Sequence, residues 1–200
     1  EFDEVSVITG SVRVQDVPLD EKVKVQKIIR YNKKSLGKKF YTWLVGTLQI
    51  YFLILFKYRN HELFFISIPP FAYLLMRLLR NKFSILIWDV YPDTLKIYNL
   101  SEKNFVYRFW VSSNKKIFKR AHRLYTIGER MADLVSKYVD RDKLIIIPLW
   151  NGLRHIKPIA KHENKFALEH NLQDKFVVQY SGNIGFTHNV EVLVEVANML

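Results

Sequence analysis

The sequence predicts an α/β protein built on a parallel sheet, and three observations carry that prediction. Apolar runs of strand length recur at residues 63–68, 83–88 and 143–147. Between them lie segments of helical length and spacing, so strands and helices alternate along the chain. The first two runs, Leu63-Phe64-Phe65-Ile66-Ser67-Ile68 and Phe83-Ser84-Ile85-Leu86-Ile87-Trp88, are each interrupted by a single serine. Such runs suit strands covered on both faces, as in a parallel sheet.

Each element has its own local signal. Val5-Ser6-Val7-Ile8 alternates apolar and polar residues and meets Thr9-Gly10, a strand running into a turn. Val23, Val25 and Ile28-Ile29 predict a second strand. Residues 36–56 are a long apolar segment of helical length. The strand at 63–68 is stopped by Pro69-Pro70, and an apolar helix is expected over 71–79. The strand at 83–88 ends in Asp89 and the turn-forming Tyr91-Pro92-Asp93. Residues 102–120 predict an amphipathic helix with Val106, Phe109, Trp110, Ser113 and Ile117 on one face and Lys115, Lys116 and Lys119 toward another. Leu124-Tyr125-Thr126-Ile127 is a strand before Gly128, residues 129–138 a short helix, and 143–147 a strand closed by Pro148. The alternation predicts a doubly wound, Rossmann-like sheet with flanking helices.

This first domain is expected to span residues 1–157, with a polar, proline-marked linker over 158–175. Residues 176–200 then open a second unit. Phe176-Val177-Val178-Gln179-Tyr180 reads as a strand, Ser181-Gly182-Asn183-Ile184-Gly185 as a glycine-bearing loop, and Asn189 as the cap of a helix carrying Val190, Leu193, Ala197 and Leu200. One strand and one helix cannot bury their own apolar faces, so these residues are expected to begin a second Rossmann-like domain whose remainder lies beyond Leu200.

Composition narrows the function classes. Apolar residues make up 49% of the chain, too many for disorder, and cysteine is absent, which excludes disulfides and thiolate metal sites. The net charge of +12, with a pI near 9.7, favours polyanionic partners such as nucleic acid, a phospholipid surface or a diphosphate substrate. No Asp or Glu occurs between Lys22 and His61, whereas Lys22, Lys24, Lys27, Arg30, Lys33, Lys34, Lys38, Lys39, Lys57 and Arg59 all fall there. A solvated basic face is the simpler reading of that run. The opening Glu1-Phe2-Asp3-Glu4 is not the basic start of a secretory signal.

Two loops could carry chemistry. The loop from Ser181 to Asn189 joins a strand to a helix N-terminus, where backbone amides and the helix dipole can hold a phosphate; Gly182 and Gly185 let a ligand approach the backbone. A tight turn alone would also use two glycines. Asp89 stands at the carboxyl end of a buried strand, the edge at which open α/β sheets bind ligands, although an aspartate there can also simply cap the turn.

Taken in order, Val7-Ile8-Thr9-Gly10, Ser67-Ile68-Pro69-Pro70, Asp89-Val90-Tyr91-Pro92-Asp93, residues 124–131, residues 142–150 and Tyr180-Ser181-Gly182-Asn183-Ile184-Gly185 resemble glycosyltransferase family 4, in the branch that builds bacterial capsule and O-antigen polysaccharides. The resemblance implies a GT-B fold: an acceptor-side domain here, and a donor-side domain begun at residue 176. It implies a retaining, metal-independent hexosyl or glycosyl transfer from a nucleotide-sugar, as substrate rather than cofactor, to a glycan or lipid-linked acceptor at the cytoplasmic face of the membrane. Asp89 would be catalytic. Ser181, Gly182, Asn183, Gly185 and His188 would bind the donor, and Ser67, Pro69 and Tyr91 would line the acceptor cleft. The sequence departs from the family pattern at Asn183, where Arg is frequent, at His188, a lysine position, and at Leu149, beside a retained Trp150. The family's paired glutamates would lie beyond Leu200 and its first strand before Val5, so these residues alone are expected to be inactive.

Residues 40–56, bracketed by Lys38-Lys39 and by Lys57 and Arg59, admit three readings: a packed core helix, a helix lying on an anionic bilayer surface, and a membrane span. A non-catalytic basic module that binds a membrane surface or nucleic acid is the competing function. No specific nucleic-acid motif is present.

Overall fold

A computed structural model describes residues 3–12, 18–32, 34–148, 157–182, 184 and 189–199. The chain divides into two compact units, Glu1–Pro148 and Leu149–Leu200.

In the first unit, β1 (Val5–Thr9) and β2 (Val23–Lys27) form a parallel pair, Val5 opposite Val23 and Thr9 opposite Lys27. Their carboxyl ends close so tightly that Gly10 is required: a Cβ there would stand 2.6 Å from the Ile29 carbonyl oxygen. The helix α1 (Leu36–Phe56) follows, capped by Ser35, whose hydroxyl accepts from the Lys38 amide at 3.2 Å. Gly46 sits against Ile28 and Ile29, and the Gln49 carboxamide oxygen accepts from the Ile29 amide at 2.8 Å. One face of the helix is thereby fastened to the end of β2.

A second, four-stranded sheet is built from β3 (Leu63–Ile66), β4 (Phe83–Ile87), β5 (Arg123–Thr126) and β6 (Leu144–Ile146), all parallel and in chain order. Between these strands run α2 (Phe105–Arg120), capped by Asn104, and α3 (Glu129–Val135). The result is a Rossmann-like, all-parallel α/β layer. The strand order runs in one direction, without the reversal of a doubly wound sheet among the described strands, and β1 and β2 stand as a separate pair.

The core lies on one face of the four-stranded sheet. Phe65, Ile85, Ile87, Leu124 and Leu144 point into it and meet Ile50 and Ile54 of α1, Ile117 and Phe118 of α2, and Ala132 and Val135 of α3. Each fully buried side chain of this kind stabilises the fold by about 1.5–3 kcal/mol. Among the described strands only β4 is buried along its whole length. The expectation that 63–68 would be covered on both faces is corrected: Phe65 and Ser67 are buried, but Phe64, Ile66 and Ile68 are exposed. Phe64, Ile66 and Ile68 alternate with Phe65 and Ser67, so they project from the face of the sheet opposite the core.

Two further expectations change. Over 71–79 the chain forms a 3-10 turn, Tyr73–Arg77, closed by i→i−3 bonds from the amides of Leu74, Leu75 and Leu78. On α2 the buried row is Tyr107, Trp110, Ser113, Asn114, Ile117 and Phe118, while Val106 and Phe109 are exposed. Two polar residues inside that row, Ser113 and Asn114, blur the apolar stripe from which its inward face would be read. Asn114 is fully buried because its amide is bonded at both ends.

The second unit contains α4 (Lys165–Glu169), capped by Asn164 and lying within the expected linker, and α5 (Glu191–Met199). The expected strand at 176–180 forms no ladder among the described residues, and Phe176 is 95% exposed. A strand exists only through pairing, and no neighbouring strand is described in this unit. Val192, Leu193, Val194, Val196 and Met199 of α5 are exposed as well.

Candidate active site

The carboxyl ends of β3 and β4 hold most of the residues singled out in the first unit. Ser67, just beyond β3, is buried, and its hydroxyl oxygen accepts from the amides of both Trp88 and Asp89 at 3.0 Å. It therefore pins the turn that presents Asp89 rather than lining an open surface. The turns leaving the two strands each carry a cis X–Pro bond, Ile68–Pro69 and Tyr91–Pro92. Pro69 is half-buried.

Asp89 is half-buried, and among the described residues no donor is hydrogen-bonded to its carboxylate. Tyr91 lies close to it. Burial pushes the Tyr91 phenol up, and the negative charge of Asp89 pushes it further in the same direction. The ring of Tyr91 stacks on Trp110, 5.6 Å between centroids and 14° between planes. From Trp110 the aromatic contacts continue to Phe71 at 5.5 Å, Trp43 at 5.7 Å and Tyr31 at 5.6 Å. A continuous series of rings thus joins the loop after β2, the start of α1 and the turns after β3 and β4.

A buried polar lattice fixes this edge from behind. Trp110 Nε1 donates to the Tyr73 hydroxyl at 2.9 Å, Tyr73 donates to Asn114 Oδ1 at 3.1 Å, and Asn114 Nδ2 donates to the Tyr91 carbonyl at 2.6 Å. Burial holds the Tyr73 phenol well above its ordinary range, so it serves as a neutral donor and acceptor. α2 thereby grips the backbone two residues beyond Asp89. At the end of β5, beside Ile87, the Thr126 hydroxyl is buried without a hydrogen-bond partner among the described residues.

Four residues after Asp89 the environment is reversed. Asp93 accepts hydrogen bonds from the hydroxyls of Tyr107, at 2.8 Å, and Tyr138, and it pairs with Lys137 and, at 3.4 Å, with Lys96. Burial works to raise its carboxyl, but the hydrogen bonds from Lys137, Tyr138 and Tyr107 and the Lys137 charge outweigh it and hold Asp93 below the usual carboxylate range. The Tyr138 phenol moves in the opposite sense, raised by burial and by the Asp93 charge. Asp93 is thus engaged on both oxygens, whereas Asp89 has no hydrogen-bonded partner among the described residues.

Of the expected donor-binding residues, Ser181 and Gly182 lie in the second unit, where Ser181 is exposed and Gly182 stands beside the Tyr180 ring. Asn183, Gly185 and His188, like Leu149 and Trp150, fall outside the described residues. Among the described residues no group of three His, Asp or Glu side chains gathers as a metal site. Sequence reasoning missed Tyr73, Trp110, Asn114 and the Asp93 cluster. Apart from Lys96, which follows Asp93 closely, their hydrogen-bond partners are 14 to 45 residues apart, a separation with no local signal.

No protein-family model matches the chain, and no curated protein matches it.

Proposed function

We propose that this protein is a glycosyltransferase that moves a sugar from a nucleotide-sugar to a glycan or lipid-linked glycan in the building of a bacterial surface polysaccharide. The observation that carries the reading is Asp89: a carboxylate with no hydrogen bond among the described residues, at the carboxyl end of a strand buried along its whole length. That edge is where parallel α/β sheets bind ligands. The ordered motif series from Val7 to Gly185 turns this general site into the acceptor half of a GT-B enzyme.

In this reading Asp89 faces the acceptor hydroxyl and the sugar carbon. Its negative charge orients the hydroxyl and favours the positive character that develops on the sugar as the diphosphate departs. Ser67 and the Tyr73–Trp110–Asn114 lattice act as positioning residues, keeping the turn at Asp89 in one geometry before substrate arrives. Tyr91 and the rings behind it form a wall against which an apolar sugar face can lie. The donor would be held by Ser181, Gly182, Asn183, Gly185 and His188.

The test is a screen of nucleotide-sugars against the complete protein, reading binding and release of nucleoside diphosphate. Saturable binding of one donor, with slow hydrolysis in the absence of acceptor, is the expected outcome. Binding of random-sequence oligonucleotides with no response to any nucleotide-sugar would replace this reading with that of a basic nucleic-acid module.

A further inference from the structure

We propose that the outer face of α1 is a membrane-docking surface that lies flat on an anionic phospholipid bilayer. The helix has two opposed rows at four-residue spacing. Thr42, Gly46, Ile50 and Ile54 form the buried row. Leu36, Phe40, Leu44, Leu48, Phe52 and Phe56 form the other, and each of them is between 47% and 82% exposed. At 3.6 residues per turn each four-residue step advances about 40° round the helix, so this row, an apolar ridge, winds as it rises about 30 Å, and its central members Leu44, Leu48 and Phe52 share one side. The rings of Phe52 and Phe56 stack along it at 6.2 Å.

The ridge is cationic at both ends. Lys34 and Lys38 flank its start, and Lys57 and Arg59 flank its end, all exposed. Among the described residues none of the four is held in an ion pair. No acidic residue occurs between Lys22 and His61 to offset them. Near the end of the ridge a groove of about 430 Å³ is lined by Phe52, Leu53 and Phe56, with Lys27 and Lys57 on its wall. Apolar side chains in a row, with lysines at their margins, match acyl chains below and phosphate headgroups beside them.

Other occupants fit less well. A second copy pairing along the ridge, parallel or antiparallel, would bring cationic ends together and repel itself. A membrane span would need the buried row to leave the core, where Ile54 is 1% exposed and Gln49 and Thr42 accept from the amides of Ile29 and Asn32. Residues 36–56 are long and apolar enough to cross a bilayer, but these attachments keep the helix beside its domain, in the plane of the surface.

The inference does not depend on sugar transfer and is tested without it. The full chain is co-sedimented with phosphatidylcholine vesicles, with and without phosphatidylglycerol, across a range of salt. Wild type is expected to prefer the anionic vesicles and to release as salt rises. Leu44→Glu with Phe52→Glu should lower the bound fraction at least tenfold with an unchanged melting temperature, because both side chains are exposed. Neutralising Lys34, Lys38, Lys57 and Arg59 should weaken binding by roughly fivefold per cation on anionic vesicles. Equal binding to neutral vesicles, indifference to salt, or a dimer in sedimentation velocity that the double substitution disperses would overturn the proposal. The salt and lipid comparison on wild type stands even if a variant fails to fold.

Discussion

Asp89 and Asp93 sit four residues apart on the same loop, yet the fold treats them in opposite ways. Asp93 is saturated by two phenols and two lysines, and Asp89 has no hydrogen-bonded partner among the described residues. The difference separates architecture from chemistry at one sheet edge. A carboxylate whose lone pairs are filled holds a loop together and cannot accept a substrate proton without losing that role. A carboxylate left open contributes little to stability and keeps its lone pairs for a ligand.

That contrast can be broken most forcefully at Asp93. Asp93→Ala strands the hydroxyls of Tyr107 and Tyr138 and the Lys137 ammonium, and it should cost about 1.5–3 kcal/mol, the range for hydrogen bonds to a charged group. Urea denaturation at neutral pH reads this directly. A loss below half that range would show the cluster to be ornamental.

The same residue sets an acid limit. Its carboxyl is depressed in the folded state, so its contribution is fully present above the unfolded aspartate value of about 4 and is lost as pH falls through the lower folded value. Wild type and Asp93→Ala should therefore converge in stability below about pH 4 and diverge above it. A constant gap from acid to neutral pH would contradict the assigned charge.

Smaller effects sharpen the comparison. Tyr138→Phe removes one of the four donors and leaves the others, so about 1 kcal/mol is expected. Asp89→Asn breaks no hydrogen bond of the described fold and should change stability by no more than about 0.5 kcal/mol. A large loss there would make Asp89 a structural residue like its neighbour.

Much of the first unit could be read from sequence because its signals are local. The long apolar segment over 36–56, Pro69-Pro70 and Pro148 after apolar runs, and strand-length apolar stretches set the ends of α1, β3, β4 and β6 to within a few residues. The one-sided burial of β3 was not legible, since Phe64 and Phe65 look alike until folding covers one face of the strand and not the other. Nor was the strand order, which long-range pairing decides. At the site, Asp89 was legible because a strand end announces itself. Asp93, Tyr73 and Asn114 were not, because only folding gives each its partners. The strand expected at 176–180 has strand composition but no described neighbour, and composition alone cannot make a ladder.

The most direct measurement compares Asp89→Asn with wild type in the complete protein, using a nucleotide-sugar and acceptor pair on which wild type turns over. The prediction is a fall in turnover of at least about a hundredfold, the contribution of a positioned catalytic group, with melting temperature and donor affinity unchanged. Turnover within a few-fold of wild type would remove Asp89 from the reaction and contradict the proposed site.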